Sequence, residues 1–139
     1  MNKQRVGLIG AGLMGHGIGK NIVTKGHALT VVAHRNRAPV DDLISKGAKE
    51  AKSAREVTAN SDVVIMCVTG SPQVEETVLG KDGVLEGMKS GTVIVDCSTA
   101  EPGSTRKLAA AVAAKGGHFV DAPLVRTPFS VWPSGMPLQ

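Results

Sequence analysis

Short apolar runs alternate with amphipathic or alanine-rich stretches along most of this chain, and the alternation predicts strand after helix with few exceptions. A strand is expected over residues 6–9, then a helix over 14–25 closed by Gly26, and a second strand over 28–33. A helix over 39–46 is opened by Pro39 and ended by Gly47, the usual asymmetry of helix start and stop. Residues 48–51 suggest a short third strand, and Ser53 with Glu56 three positions later predicts a capping box on a brief helix. The run 62–68 is continuously apolar after Asp62, as a parallel strand covered on both faces should be. A helix over 72–79, a turn-rich connection over 81–89, a strand over 92–96, an alanine-rich helix over 102–115 and a last strand over 118–121 complete the pattern. Such an order predicts a doubly wound α/β fold with a mostly parallel sheet. From 123 to 139 the pattern dissolves into a segment holding four of the seven prolines and the only tryptophan, Trp132. The chain therefore divides into one folded domain, 1–122, and an irregular tail, 123–139.

At the join of the first strand and first helix stand Gly10, Gly12 and Gly15, in the spacing G-x-G-x-x-G. A tight glycine turn without a ligand is the plain alternative. The strand before and the helix after favour a dinucleotide fingerprint of the Rossmann type. Gly10 would turn the chain off the strand, Gly12 would let a pyrophosphate approach the backbone, and Gly15 would let the helix pack close to the sheet. The first-turn N–H groups near Leu13 and Met14 would then face the phosphates. An acidic residue is expected about 20 residues further on to hold the ribose of NAD. The sequence there is Ala33-His34-Arg35-Asn36-Arg37, with no acid before Asp41. An arginine at this place suits a 2′-phosphate, which it can bind bidentately. NADP is thus favoured over NAD, with His34, Arg35 and Asn36 around its adenosine end. A solvated basic loop is the alternative, Arg37 reads as no more than part of one, and Arg35 is the preferred contact.

Composition narrows the classes further. The 139 residues are 42% hydrophobic and 20% charged, enough for one ordinary globular core. Aromatics make up 2%, too few for the stacking platforms of single-strand nucleic-acid binders. The net charge of +4 is scattered, without a polybasic run, so no nucleic-acid partner is expected. Cys67 and Cys97 lie in apolar runs and read as buried thiols rather than a disulfide. The basic start followed by an apolar stretch fails as a signal peptide, because glycines of the fingerprint interrupt it. No stretch approaches the ~20 apolar residues of a membrane span. A cytoplasmic protein with no membrane partner and no metal is expected.

Together these motifs resemble the β-hydroxyacid dehydrogenases, which include 3-hydroxyisobutyrate dehydrogenases, tartronate semialdehyde reductases, glyoxylate/succinic semialdehyde reductases and, more remotely, 6-phosphogluconate dehydrogenases. Val6-Gly-Leu-Ile-Gly-Ala-Gly-Leu-Met-Gly15 with Asn21 looks like the family's opening signature. Asp62-Val-Val-Ile-Met-Cys-Val-Thr-Gly-Ser71 looks like its fourth strand and cofactor loop, and Gly91-Thr-Val-Ile-Val-Asp-Cys-Ser-Thr99 with Pro102 like its D-x-S-T segment. Gly117-His-Phe-Val-Asp-Ala-Pro123 looks like the start of the substrate signature. The resemblance implies cofactor contacts at Val68, Thr69 and Gly70. It places Ser98 and Thr99 near the nicotinamide, where Thr99 would meet cofactor or substrate. An ordinary turn and cap before the Pro102 helix is the alternative for that pair. Asp121 and Arg126 would belong to the substrate side, with Arg126 able to grip a carboxylate and an exposed structural arginine its near-equal alternative. Here the chain departs from the family, with Val125-Arg126-Thr127-Pro128 where many members carry Ser-Gly-Gly.

The family's catalytic lysine belongs to a G-x-x-G-x-G-x-x-x-K-x-x-x-N motif leading to an all-helical second domain, and these 139 residues do not contain it. Lys20, Lys107 and Lys115 have no claim to the role. The tail 123–139 then reads as a truncated start of the substrate-binding segment, with no catalytic residue assigned. The expected chemistry is hydride transfer between a nicotinamide and a small β-hydroxy acid or aldehyde acid, weak or absent in this chain alone. Loss of an acid/base group costs about 10²–10⁴ in rate. A stand-alone NADP(H)-binding module without catalysis is the alternative, with a homo-oligomer compatible with either. Imine reductases are a third reading, disfavoured by Asp121-Ala122-Pro123, a start of a carboxylate site that they lack.

Overall fold

The computed structural model describes residues 4–124. The elements follow in the order β1 (Arg5–Ile9), α1 (Leu13–Thr24), β2 (Ala28–Val32), α2 (Ala38–Ser45), β3 (Lys49–Ala51), α3 (Ala54–Ala59), β4 (Val63–Met66), α4 (Ser71–Leu79), α5 (Val84–Gly87), β5 (Val93–Asp96), α6 (Pro102–Ala114) and β6 (His118–Asp121). The six strands form one sheet in the order β3-β2-β1-β4-β5-β6, and all five pairings are parallel. This is the doubly wound order of a Rossmann fold, and it reverses direction between β1 and β4.

Strand alternation divides the core between the two faces of the sheet. Val6, Leu8, Leu29 and Val31 pack with Val40, Leu43 and Ala48 on the α2 side. Val64, Met66 and Ile94 pack with Val57, Val74, Val78, Leu108 and Val112 on the other. Being covered on both sides is why the central strands read as continuous apolar runs.

Three details depart from the expected elements. The connection over 81–89 contains the short helix α5, whose Gly87 sits so close to α3 that an added Cβ would overlap the Arg55 carbonyl at 2.0 Å. A four-residue helix carries too little periodicity to be read. In the capping box, Ser53 Oγ accepts from the Glu56 N–H at 3.1 Å, but the Glu56 carboxylate accepts from Lys52, one residue before the cap. Finally, β4 stops at Met66, before the expected 68. Cys67 still donates its N–H to Ile9 at 2.9 Å, but the Val68 N–H turns away to a side chain.

Candidate cofactor site

The carboxyl ends of β1 and β4, where the strand order reverses, are where this architecture leaves a crevice for ligands. The glycine turn occupies the β1 side. Gly10 has φ +93°, and a Cβ there would lie 2.1 Å from the Cys67 carbonyl oxygen. A Cβ at Gly15 would lie 2.0 Å from the Gly10 carbonyl oxygen, so the helix can approach the turn only because Gly15 lacks one. At Gly12 the same construction meets nothing within 4 Å among the described residues. Gly10 and Gly15 are thus required by the protein's own packing, whereas Gly12 faces open space. Leu13 and Met14 open α1, whose first turn carries no acidic side chain to compete with an anion.

Opposite the turn, the loop after β4 is tied down from β5. The buried Asp96 accepts the Ser98 N–H on Oδ1 at 2.9 Å, and Ser98 Oγ accepts the Val68 N–H at 2.9 Å. Ser98 is 2% exposed. The structure therefore commits the Ser98 hydroxyl oxygen to holding the Val68–Gly70 loop, while its neighbour Thr99 is exposed at the strand end. Ser71 Oγ accepts the Glu101 N–H at 2.8 Å and makes a second tie between the same loops. Asp96 Oδ2 has no hydrogen-bond partner among the described residues, and burial pushes this carboxyl above its ordinary range. Asp121 lies beside Asp96 in the β5–β6 register and is exposed. Cys67 and Cys97 are free thiols as expected but only partly buried, and that partial burial still raises both. Arg126 falls outside the described residues.

At the β2 end an open groove of about 500 Å³ is lined by His34, Arg37, Glu50 and Lys52 over Val32, Ala33 and Ala51. Arg37, read from the sequence as part of a solvated loop, is in this lining and pairs with Glu50 and Asp41. Arg35 is exposed, is not among the lining residues, and makes no side-chain hydrogen bond or ion pair among the described residues. Asn36 is used by the fold itself, its Oδ1 accepting the Ala38 N–H at 3.1 Å where α2 begins. Glu50 was not foreseen. It comes from β3, and only the pairing of Val31 with Glu50 brings it beside the end of β2. A second concavity, of about 160 Å³, is lined by Arg5, Asp62, Lys89 and Thr92 at the opposite, amino end of the strands. No cluster of three metal-ligating side chains occurs among the described residues, nor a helix long and apolar enough to cross a membrane.

An open cradle over Gly12, an acid-free helix start and a groove at the end of β2 fit a dinucleotide laid across the strand ends, so the fold and site define a dinucleotide-binding domain. The sequence profile described as the NAD binding domain of 6-phosphogluconate dehydrogenase matches residues 5–128. The chain belongs to this family and matches the N-terminal cofactor-binding domain of the β-hydroxyacid dehydrogenases. It is 38% identical over 121 residues to the 2-hydroxy-3-oxopropionate reductase of Escherichia coli, covering 86% of this chain and 40% of that protein. It is 36% identical over 121 residues to the cytokine-like nuclear factor N-PAC of Xenopus tropicalis, covering 87% of this chain and 22% of the relative. Among solved structures it resembles Psf3 in complex with NADP+ and 2-OPP, with a TM-score of 0.81, 31% identity, and coverage of 88% of this chain and 43% of that one. The chain thus spans well under half the length of these relatives.

Proposed function

We propose that this chain is the NADP(H)-binding part of an oxidoreductase that moves a hydride between the nicotinamide and a small β-hydroxy acid or aldehyde acid. The observation that carries the reading is the glycine turn. Two of its glycines are demanded by packing, and the third leaves open space at the start of a helix. The absence of an acid on β2 and the guanidinium of Arg35 just beyond it, unpaired among the described residues, support NADP over NAD. When bound, the cofactor supplies the hydride chemistry, and this chain's residues bind and orient it. Backbone N–H groups of the first turn of α1 would hold the pyrophosphate. The Val68–Gly70 loop, pinned through Ser98, would lie along the cofactor, with Thr99 beside it toward the substrate and Asp121 at the carboxylate end.

Calorimetric titration of the chain with NADPH and NADH tests this reading. Tighter NADPH binding that Arg35→Ala weakens is the expected result, and binding of neither cofactor would overturn it. A second reading, a binding module without catalysis, is favoured by the 36% identity to a relative named as a nuclear factor rather than as an enzyme. NADPH oxidation in the presence of small semialdehydes separates the two, turnover excluding the module.

A further inference from the structure

The groove at the end of β2 is walled in part by the Arg37–Glu50 ion pair. Arg37 Nη1 meets Glu50 Oε1 at 2.9 Å and Nη2 meets Oε2 at 3.2 Å, a bidentate fork, while Nη2 also reaches Asp41 at 3.3 Å. The pair holds the Glu50 carboxyl below its ordinary range. Arg37 starts the turn into α2 and Glu50 belongs to the edge strand β3, so the contact bridges two elements across the groove.

A ribose at this place presents either a 2′-hydroxyl or a 2′-phosphate. A hydroxyl needs an acceptor, the part an acid at the end of β2 usually plays. A phosphate needs a cation and is repelled by a carboxylate. The chain has no acid on β2, but β3 delivers one into the same groove, already fastened to an arginine.

We infer that the Arg37–Glu50 pair is the selectivity element of the site, an inference resting on the reading that the groove takes the adenosine end of the cofactor. With NAD(H), Glu50 accepts from the ribose hydroxyl while staying near Arg37. With NADP(H), Arg37 exchanges the carboxylate for the 2′-phosphate, and the displaced Glu50 opposes the same phosphate. Arg37 therefore favours NADP(H), and Glu50 holds that preference down. Both side chains are partly exposed, 52% and 37%, so the exchange needs no rearrangement of the core.

The experiment compares wild type, Glu50→Gln and Arg37→Ala by titration with NADPH and NADH, with melting temperatures alongside. Glu50→Gln is expected to tighten NADPH by about three- to tenfold and weaken NADH by a similar factor, the size of a screened surface interaction. Arg37→Ala is expected to weaken NADPH by about tenfold and leave NADH within about twofold. If wild type binds but Glu50→Gln leaves the NADPH-to-NADH ratio unchanged at an unchanged melting temperature, the pair is only a surface contact and the inference falls alone. If wild type binds neither cofactor, the functional reading itself falls and takes the inference with it.

Discussion

The two ends of the candidate site are built by different means. At the β1–β4–β5 end, contacts are made by backbone and by buried side chains: Gly10 against the Cys67 carbonyl, Gly15 against Gly10, Asp96 to Ser98 to Val68. At the β2–β3 end they are made by exposed charges, Arg37, Glu50 and Asp41, around an open groove. Removing one partner of a buried hydrogen bond strands the other and an overlapped Cβ cannot be relieved, so the first end tolerates little change. Exposed ion pairs contribute little to folding, so the second end can be altered at small cost to stability. On the proposed reading, the first end would hold the part common to all dinucleotides and the second would face the part in which they differ.

The largest effect expected from this contrast is at the glycine turn. Gly10→Ala puts a side chain at φ +93° and against a backbone oxygen, and should destabilise the chain by about 2–4 kcal/mol. Gly12→Val meets no protein atom and stands at an extended helix cap, so it should cost under about 1 kcal/mol. It should nevertheless weaken NADPH and NADH alike, by about a hundredfold, through its occupation of the cradle. Urea unfolding and titration of both variants check this. Equal stability loss in the two would mean that Gly12 is also a packing glycine.

These glycines were legible in the sequence because their roles are local, set by a strand, a turn and a helix within eleven residues. The strands were legible for a related reason, since a strand buried on both faces leaves an apolar run such as Val63–Met66. What was not legible depends on the order of strands. Ser98 reads as a residue offered to a ligand until β5 lies beside β4, when its hydroxyl is found thirty positions away on Val68. Glu50 carries no signal at all in the stretch 49–51, and Arg37 looks free until β3 pairs with β2. In both cases the partner is supplied by sheet topology, and side-chain pairing across strands has no signature in a single sequence.

Ser98→Ala tests the buried tie on an intermediate scale. Losing the acceptor for the Val68 N–H should cost about 1–2 kcal/mol of stability. With the loop released, NADPH and NADH should both weaken by about three- to tenfold and their ratio should stay constant, the opposite of the outcome expected for Glu50→Gln. Amide hydrogen exchange gives a readout independent of any cofactor, because Val68 should lose protection in the variant. Retained protection would mean that the Ser98 bond does not hold the loop.

The smallest effect is expected at Asp96, where it takes the form of a pH dependence. Burial raises this carboxyl in the folded chain, so the native state binds its proton more tightly than the unfolded state does. Stability from this group is therefore fully present below the ordinary carboxylate value of about 3.9 and is lost as pH rises through the raised one. Asp96→Asn removes the titration while keeping an oxygen to accept the Ser98 N–H. The variant should gain on wild type as pH rises out of the acid range and then hold a constant difference toward neutrality. Urea unfolding of both chains from acid to neutral pH measures that difference directly. Parallel curves would mean that Asp96 pays no penalty for its unpaired oxygen, whereas a gap that opens with pH would show a charge retained in the core beneath the pinned loop, at the end of the site that tolerates least.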